Sequence, residues 1–443
     1  MRRMMFVVLH AGLVSGCVAD LDGDAEADAE AEATEFRAKP PKNTIKNNKE
    51  YPNPAGASAT FSDAGKVDLG TDFTKDFGTN GRTCITCHTE KEGWTISPSF
   101  VQSRFASSNG LDPLFRPVDG ANSPLADVST LAARQQAYSL LLSRAVIRVG
   151  IGIPDNAEFE LVAVDDPYNY ASAAELSLFR RPLPAANLSF MASVMWDGRV
   201  TGATLLDALG EQANGATLGH AEALAPLTTA QREEIVDFEF GLSHAQIKGS
   251  VADKLSVAGG KGGPEFLSNL DRAVGPFTIY DAWSSLQVDP RECHSEQQIT
   301  AARMAIARGQ ALFNTATSAT GSTCRGCHNV ANVGTNFNGT FFDVGVSSPD
   351  LRSPEVPLYT LRNLTTGEEI STTDPGRALI TGRWNDMNRF KVPSLRGLAA
   401  RAPFFHDGSS ATLLDVVHHY ETALGFDFTP AEEADLVAFM NAL

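Results

Sequence analysis

Two short stretches, TCITCHT at residues 83–89 and TCRGCHN at 323–329, constrain this chain more than anything else in it. Each is a C-x-x-C-H motif. Two thiols on one helical turn can form thioethers to both vinyl groups of a haem, and the histidine that follows is then forced under the iron. A zinc site built from both pairs would leave the histidines without a common role, and a redox C-x-x-C does not need the histidine. The motifs are therefore read as two covalent haem c sites. Cys84 and Cys87 hold one haem with His88 as proximal iron ligand; Cys324 and Cys327 hold the other with His328. Covalent attachment of this kind calls for an oxidising compartment outside the cytoplasm. Of the six cysteines, Cys293 in RECHSE lacks the second cysteine of such a site and is given no function.

The start of the chain agrees with export. MRRMMFVVLHAGLVSGC has two arginines and a short apolar run, too short to span a bilayer. Its end, Val14-Ser15-Gly16-Cys17, resembles the lipobox of bacterial lipoproteins, which makes residues 1–16 a signal peptide and Cys17 the lipid-bearing first residue. Between Asp20 and Glu35 there are eight acids and no base, followed by a basic, Asn-rich stretch to Lys49. Neither has an apolar face to bury, so residues 17–50 are expected to be a disordered tether spanning roughly 30 Å. The later apolar stretch AYSLLLSRAVIRVGIGIP is interrupted by Arg144 and Arg148 and is not expected to cross a membrane. The expected location is periplasmic or at the cell envelope, anchored by lipid at Cys17. A net charge of −17 argues against a nucleic-acid partner.

The periodicity points to a mainly α fold with two cytochrome c-type haem domains. ITAARMAIARGQALFNT (299–315) has helical spacing and precedes the second motif, and PAEEADLVAFMNAL reads as a closing helix begun by Pro430. Together they bound a C-terminal domain at 296–443. The N-terminal haem domain is placed at 51–247, closed by the helical stretch TAQREEIVDFEFGLSHAQ. It carries an insertion at about 91–180, with a helix TLAARQQAYSLLLSR and a hairpin formed by AVIRVGIGIP and EFELVAV. The Gly- and Ser-rich residues 248–295 are read as a connector.

Beyond the paired motifs, VMWDGR follows the first and FKVPSLRGLAARAPFFHDGS the second. Over roughly residues 60–443, outside the insertion, the chain resembles the bacterial di-haem cytochrome c peroxidase/MauG family. The resemblance implies that peroxide meets the N-terminal haem in a pocket with a glutamine and a glutamate; EQANGATLGHAEA places Gln212 and Glu222 there. A carboxylate in a dry pocket can move a proton between the two peroxide oxygens, and a glutamine can orient them without titrating. On its own, Glu222 is as readily a loop acid. Trp196 resembles the tryptophan between the two haems, although a core role fits an isolated tryptophan equally well. With no histidine between His88 and His220, the first haem is expected to keep an open sixth position, which His220 alone could contradict. The family's calcium is put in question by Arg181, which stands in ungapped register with its asparagine ligand. Arg396 is expected to pair with a haem propionate, and His406 with Asp407 to support the second haem or its turn.

At the second haem the resemblance implies a sixth ligand a fixed distance after the Phe-His-Asp-Gly stretch: methionine in the peroxidases, tyrosine in MauG-like members. That position is Tyr420, in TLLDVVHHYETAL. At about 100° per residue, Leu413, Val417, Tyr420 and Leu424 share one stripe roughly 60° wide, while His418 and His419 lie on its flanks. The alternative, a plain core tyrosine, leaves the iron to Met387, Met440 or a histidine. A phenolate is hard and favours ferric iron, where methionine favours ferrous. The leading expectation is a di-haem oxidoreductase that uses hydrogen peroxide to oxidise a small electron-donor protein or an organic or protein substrate. The alternatives are an electron carrier without catalysis and an oxygen-dependent oxidase.

Overall fold

The computed structural model describes residues 43–443; the signal segment, Cys17 and the acidic stretch lie outside the described residues. The final part of the expected tether is not a tether. Strands β1 (Thr44–Lys46), β2 (Tyr51–Asn53), β3 (Gly56–Ser62) and β4 (Lys66–Asp68) follow one another, β1 pairing with β4. Ile45 is buried there, and the Asn47 amide bonds both the N–H and the carbonyl of Ser62. An asparagine able to satisfy backbone groups ties down a segment that charge alone would leave loose.

In the insertion, α1 (Pro98–Ser108), α2 (Leu131–Ala137) and α3 (Ser139–Arg144) surround Val101, Phe105, Phe115 and Leu141. Strands β5 (Ile147–Ile151), β6 (Phe159–Asp165) and β7 (Leu176–Arg180) come next. The expected β5–β6 hairpin does not form. β5 pairs with β7, and β6 pairs with Leu358–Asn363 far along the chain. Alternation fixes which face of a strand is buried, not which partner it takes. Phe159 and Leu161 find their apolar neighbours in Tyr359, Leu361 and Leu379.

Helices α4 (Leu205–Gly219) and α5 (Thr229–Phe240) pack together, each begun by a capping box, Thr204 with Asp207 and Thr228 with Gln231. The helix expected to run on to 247 stops at Phe240. Its tail is β8 (Leu242–Gly249), which pairs with β3 along its length. The stretch read as a connector holds β9 (Asp253–Lys254) and α6 (Pro264–Ser268), and it supplies Leu255, Phe277, Ile279, Tyr280 and Trp283 to the core around the second motif. A fully buried Phe contributes about 1.5–3 kcal/mol, so this segment is structural.

α7 (His294–Thr315) leads into the second motif, where Cys324–Cys327 form a single turn, α8. Then come β10 (Phe341–Phe342), β11 (Leu358–Asn363), β12 (Glu369–Thr372), α9 (Ala378–Thr381) and β13 (Phe390–Lys391). α10 (Leu413–Leu424) and α11 (Pro430–Asn441) close the chain, with Thr429 and Glu432 capping α11. α7 and α11 cross at Gly309, where a Cβ would lie 1.9 Å from the Asp435 carbonyl oxygen; only glycine allows that approach. Helix (34%) exceeds strand (18%), yet the described strands form five small sheets, so "mainly α" understates the β content. Among the described residues no helix is long and apolar enough to cross a membrane.

Candidate functional site

Each C-x-x-C-H motif folds as one tight turn begun by a threonine, Thr83 or Thr323, and the histidine follows immediately. Their support is the same at both sites. His88 Nδ1–H donates to the Trp94 carbonyl at 3.0 Å, and His328 Nδ1–H to the Gly334 carbonyl at 2.6 Å, each six residues on. These bonds fix the tautomer and leave Nε2 as the free lone pair. Burial lowers the pKa of His88 and brings that of His328 down to about 4, so both rings are neutral, as iron ligands must be. Trp94 (φ +62°) and Gly334 (φ +80°) turn back in the left-handed region beside these bonds. Phe73 lies 6.4 Å from the His88 ring and Phe313 5.9 Å from that of His328.

The two cysteine pairs line separate cavities and none of the four is in a disulfide, which removes the shared zinc site. Burial pushes the Cys84 and Cys324 thiols up to about 12 and Cys87 to about 11, the opposite of the lowered pKa a redox C-x-x-C needs. The cavities measure about 1480 and 1540 Å³ including their mouths.

Trp196, Arg181, Lys391 and Pro182–Pro184 line both cavities and so form the wall between them. Trp196 is held there by its Nε1–H, which donates to the Arg181 carbonyl at 2.9 Å. Its neighbour Asp197 is buried against Arg180 at 2.5 Å, and the same guanidinium bonds Asp374 at 2.7 and 2.9 Å. That ion triad fixes the turn carrying the indole.

The wall is also cationic without compensation. Arg181, Lys391 and Arg401 are buried, and no carboxylate lies within ion-pair distance of them among the described residues. Arg181 donates only to the carbonyls of Arg144, Ile96 and Arg401, and Arg401 to those of Ser394, Arg396 and Gly397. Lys391 reaches the Ser193 carbonyl at 3.3 Å. Burial, with Arg401 beside it, brings Arg181 down to about 9, and burial brings Lys391 to about 8. Buried charges without partners are not stable on their own. The two carboxylates of each haem supply the missing anions, so the residues present fit the group.

The expected site residues divide into those the cavities collect and those they do not. Gln212, on α4, lines the first cavity. Leu413, Val417, Tyr420 and Leu424 all line the second, as does Met440, whereas Met387 packs in a different cluster. His419 is engaged with the Val344 carbonyl at 2.7 Å, and His418 points outward near Glu433. Burial raises the Tyr420 phenol above its ordinary range, an effect its neighbours Cys327 and Cys324 reinforce. His406 lines the second cavity, stacked 4.2 Å from Phe390 and 6.3 Å from Trp196; neither ring nitrogen is hydrogen-bonded, and Nε2 lies 3.6 Å from Asp374. Asp407 accepts from the Ser409 N–H, a turn role, and lies 3.8 Å from Arg144.

Two expectations are corrected. Arg396 lines neither cavity; its guanidinium bonds the Asn332 and Gly263 carbonyls instead. Glu222 is exposed, in the left-handed region at φ +54°, with its carboxylate accepting from the Asn80 amide at 2.9 Å. It is not in a dry pocket, because the chain turns outward just after α4. The carboxyl groups in the first cavity are instead Asp119 and Glu239, which the sequence did not single out. Asp119 comes from the insertion and Glu239 from the last turn of an ordinary-looking helix, so no local signal marks either. Burial pushes Glu239 up to about 8.

No family model matches the chain. The methylamine utilization protein MauG of Methylophilus methylotrophus is 26% identical over 293 residues, 61% of this chain and 70% of that protein. Cytochrome c551 peroxidase of Nitrosomonas europaea is 33% identical over 124 residues, 28% of this chain and 31% of its own length. Cytochrome-c peroxidase IdrP2 of Denitromonas iodatirespirans is 34% identical over 133 residues, 27% of this chain and 35% of its own. The chain thus spans about a third of the length of the curated peroxidases it matches.

Proposed function

This chain belongs to the di-haem cytochrome c peroxidase/MauG family, and on that premise we propose that it reduces hydrogen peroxide at the first cavity with electrons drawn from a donor protein or an organic substrate. The observation that carries the reading is what each cavity adds to the shared wall: Arg82, Asp119, Gln212, His220 and Glu239 around His88, and mainly aromatic and aliphatic side chains, with His406, Arg401 and Tyr420, around His328. Haem c, when bound, supplies an iron centre for peroxide and a store for oxidising equivalents. Gln212 orients peroxide in the first cavity. Trp196, in contact with both cavities, couples the two sites, and Tyr420 would be the residue that holds the second haem opposite His328, as the MauG-like resemblance implies. Arg181, Lys391 and His406 hold the haem carboxylates on the shared wall. In this reading the chain is an N-terminal haem domain at 51–247 joined to a C-terminal one at 296–443. It works in the periplasm or at the cell envelope, tethered through Cys17.

Mixing the ferric protein with hydrogen peroxide in a stopped-flow spectrophotometer tests the reading. A prompt change in the haem bands, reversed by a reductant, is expected. Unchanged spectra at millimolar peroxide would reduce the protein to an electron carrier, and oxygen uptake without peroxide would make it an oxidase.

A further inference from the structure

We propose that His220, oriented by Asp119, is the group that moves the proton when peroxide is cleaved in the first cavity, the task expected of Glu222. The proposal rests on the peroxide reading above. His220 stands at the C-terminal end of α4, about two turns beyond Gln212, and both side chains line the first cavity. Its Nδ1 meets Asp119 Oδ2 at 2.5 Å, and its Nε2 has no protein partner.

Asp119 is built to remain an anion. It is 4% exposed, and burial alone would push its pKa up; Arg82 and His220 hold it below the usual carboxylate range. The buried Arg82 guanidinium bonds Asp119 and the carbonyls of Pro113 and Leu114, both at 2.8 Å, and reaches the His220 carbonyl at 3.2 Å. A carboxylate accepting the Nδ1 proton does for His220 what a carbonyl does for His88: it sets the tautomer. An imidazole positioned by a fixed carboxylate and lining the cavity, its side chain 40% exposed, is the arrangement general acid–base catalysis uses.

The step balances on these groups. His220 Nε2 takes the proton from one oxygen of hydrogen peroxide and passes it to the other. The O–O bond breaks, its electron pair stays with the second oxygen, and that oxygen leaves as water. The haem c pair, when bound, would supply the two electrons that complete the balance, and the reducing substrate would restore them.

The test uses the full di-haem protein, its two haems per chain confirmed by mass, and compares His220→Gln with Glu222→Gln. The reaction with peroxide is expected to slow about 10²–10⁴-fold in His220→Gln and less than twofold in Glu222→Gln. Cyanide gives a second readout, since it enters as HCN and must lose its proton to a nearby base; its association is expected to slow at least tenfold in His220→Gln alone. Unchanged cyanide association in His220→Gln, or the loss appearing in Glu222→Gln instead, overturns the proposal. So does a wild-type low-spin spectrum that becomes high-spin in His220→Gln, which would make His220 an iron ligand. A wild type inert to peroxide would overturn the peroxide reading instead, and cyanide still judges His220. Asp119→Asn, with an intermediate loss in both rates, is expected to follow His220→Gln; wild-type rates in this variant count against the dyad.

Discussion

Around His88 and around His328 the chain repeats one device, a ring nitrogen tied to a carbonyl six residues on and a phenylalanine beside the imidazole. Across each cavity the resemblance ends. The first wall gathers Arg82, Asp119, Gln212, His220 and Glu239; the second gathers Phe404, Phe405, Val417, Leu436 and Met440 around Tyr420. The proximal halves are alike because a short local motif builds each one. The opposite walls differ because distant segments build them, α4 with Asp119 of the insertion in one case and α10 with α11 in the other. A duplicated attachment unit has thus been given two surroundings, one suited to moving protons and one that excludes them.

The largest effect should come from removing one attachment site at a time. Replacing Cys84 and Cys87 by alanine should lower the haem content from two to one per chain and abolish cyanide binding. The same change at Cys324 and Cys327 should lower haem equally yet leave cyanide binding in place. Mass spectrometry and cyanide titration check this, and equal loss of cyanide binding in both would break the contrast.

The shared proximal device predicts matched losses of stability. Phe73→Ala and Phe313→Ala remove buried rings of 0% and 4% exposure, and each should destabilise by about 3–5 kcal/mol in denaturant titrations. A large inequality would mean that the likeness is superficial.

Tyr420→Met should raise the reduction potential of the second haem by on the order of 0.1 V without moving the first, as read by spectroelectrochemistry. No shift at either haem would show that Tyr420 is not the axial group.

The smallest effect concerns Glu239. In the folded chain burial raises its carboxyl from 4.5 to about 8, so it keeps its proton where the unfolded chain has already lost it. Its contribution is full below pH 4.5 and fades as pH rises towards 8, with a slope of at most about 1.4 kcal/mol per unit. Glu239→Gln should flatten that slope in urea titrations between those limits, and an unaltered slope would mean that the site is wetter than its burial indicates.

Much of the chemistry was legible in the residues, because it is written locally. Spacing identified both attachment turns, Pro430 marked the start of α11, and the stripe through Leu413, Val417 and Tyr420 matches the face that lines the second cavity. The misses are of another kind. β6 alternates correctly but pairs across the chain, Arg396 is spent on carbonyls, and Glu222 turns outward one step past its helix. Each depends on what lies opposite in space, and periodicity carries no such information. Asp119 illustrates the limit: an acid in an insertion acquires meaning only when Arg82 and His220 are seen around it.

Arg180 has a bearing on how such proteins can be taken apart. It sits between Asp197, close after the first cysteine pair's half of the chain, and Asp374, which is encoded well past the second pair. Splicing a foreign C-terminal half onto this N-terminal one would have to deliver an acid at the place of Asp374, or Arg180 would be left with Asp197 as its only anion in the interior. Chimaeras and truncations would then report on that lost partner before they reported on either haem.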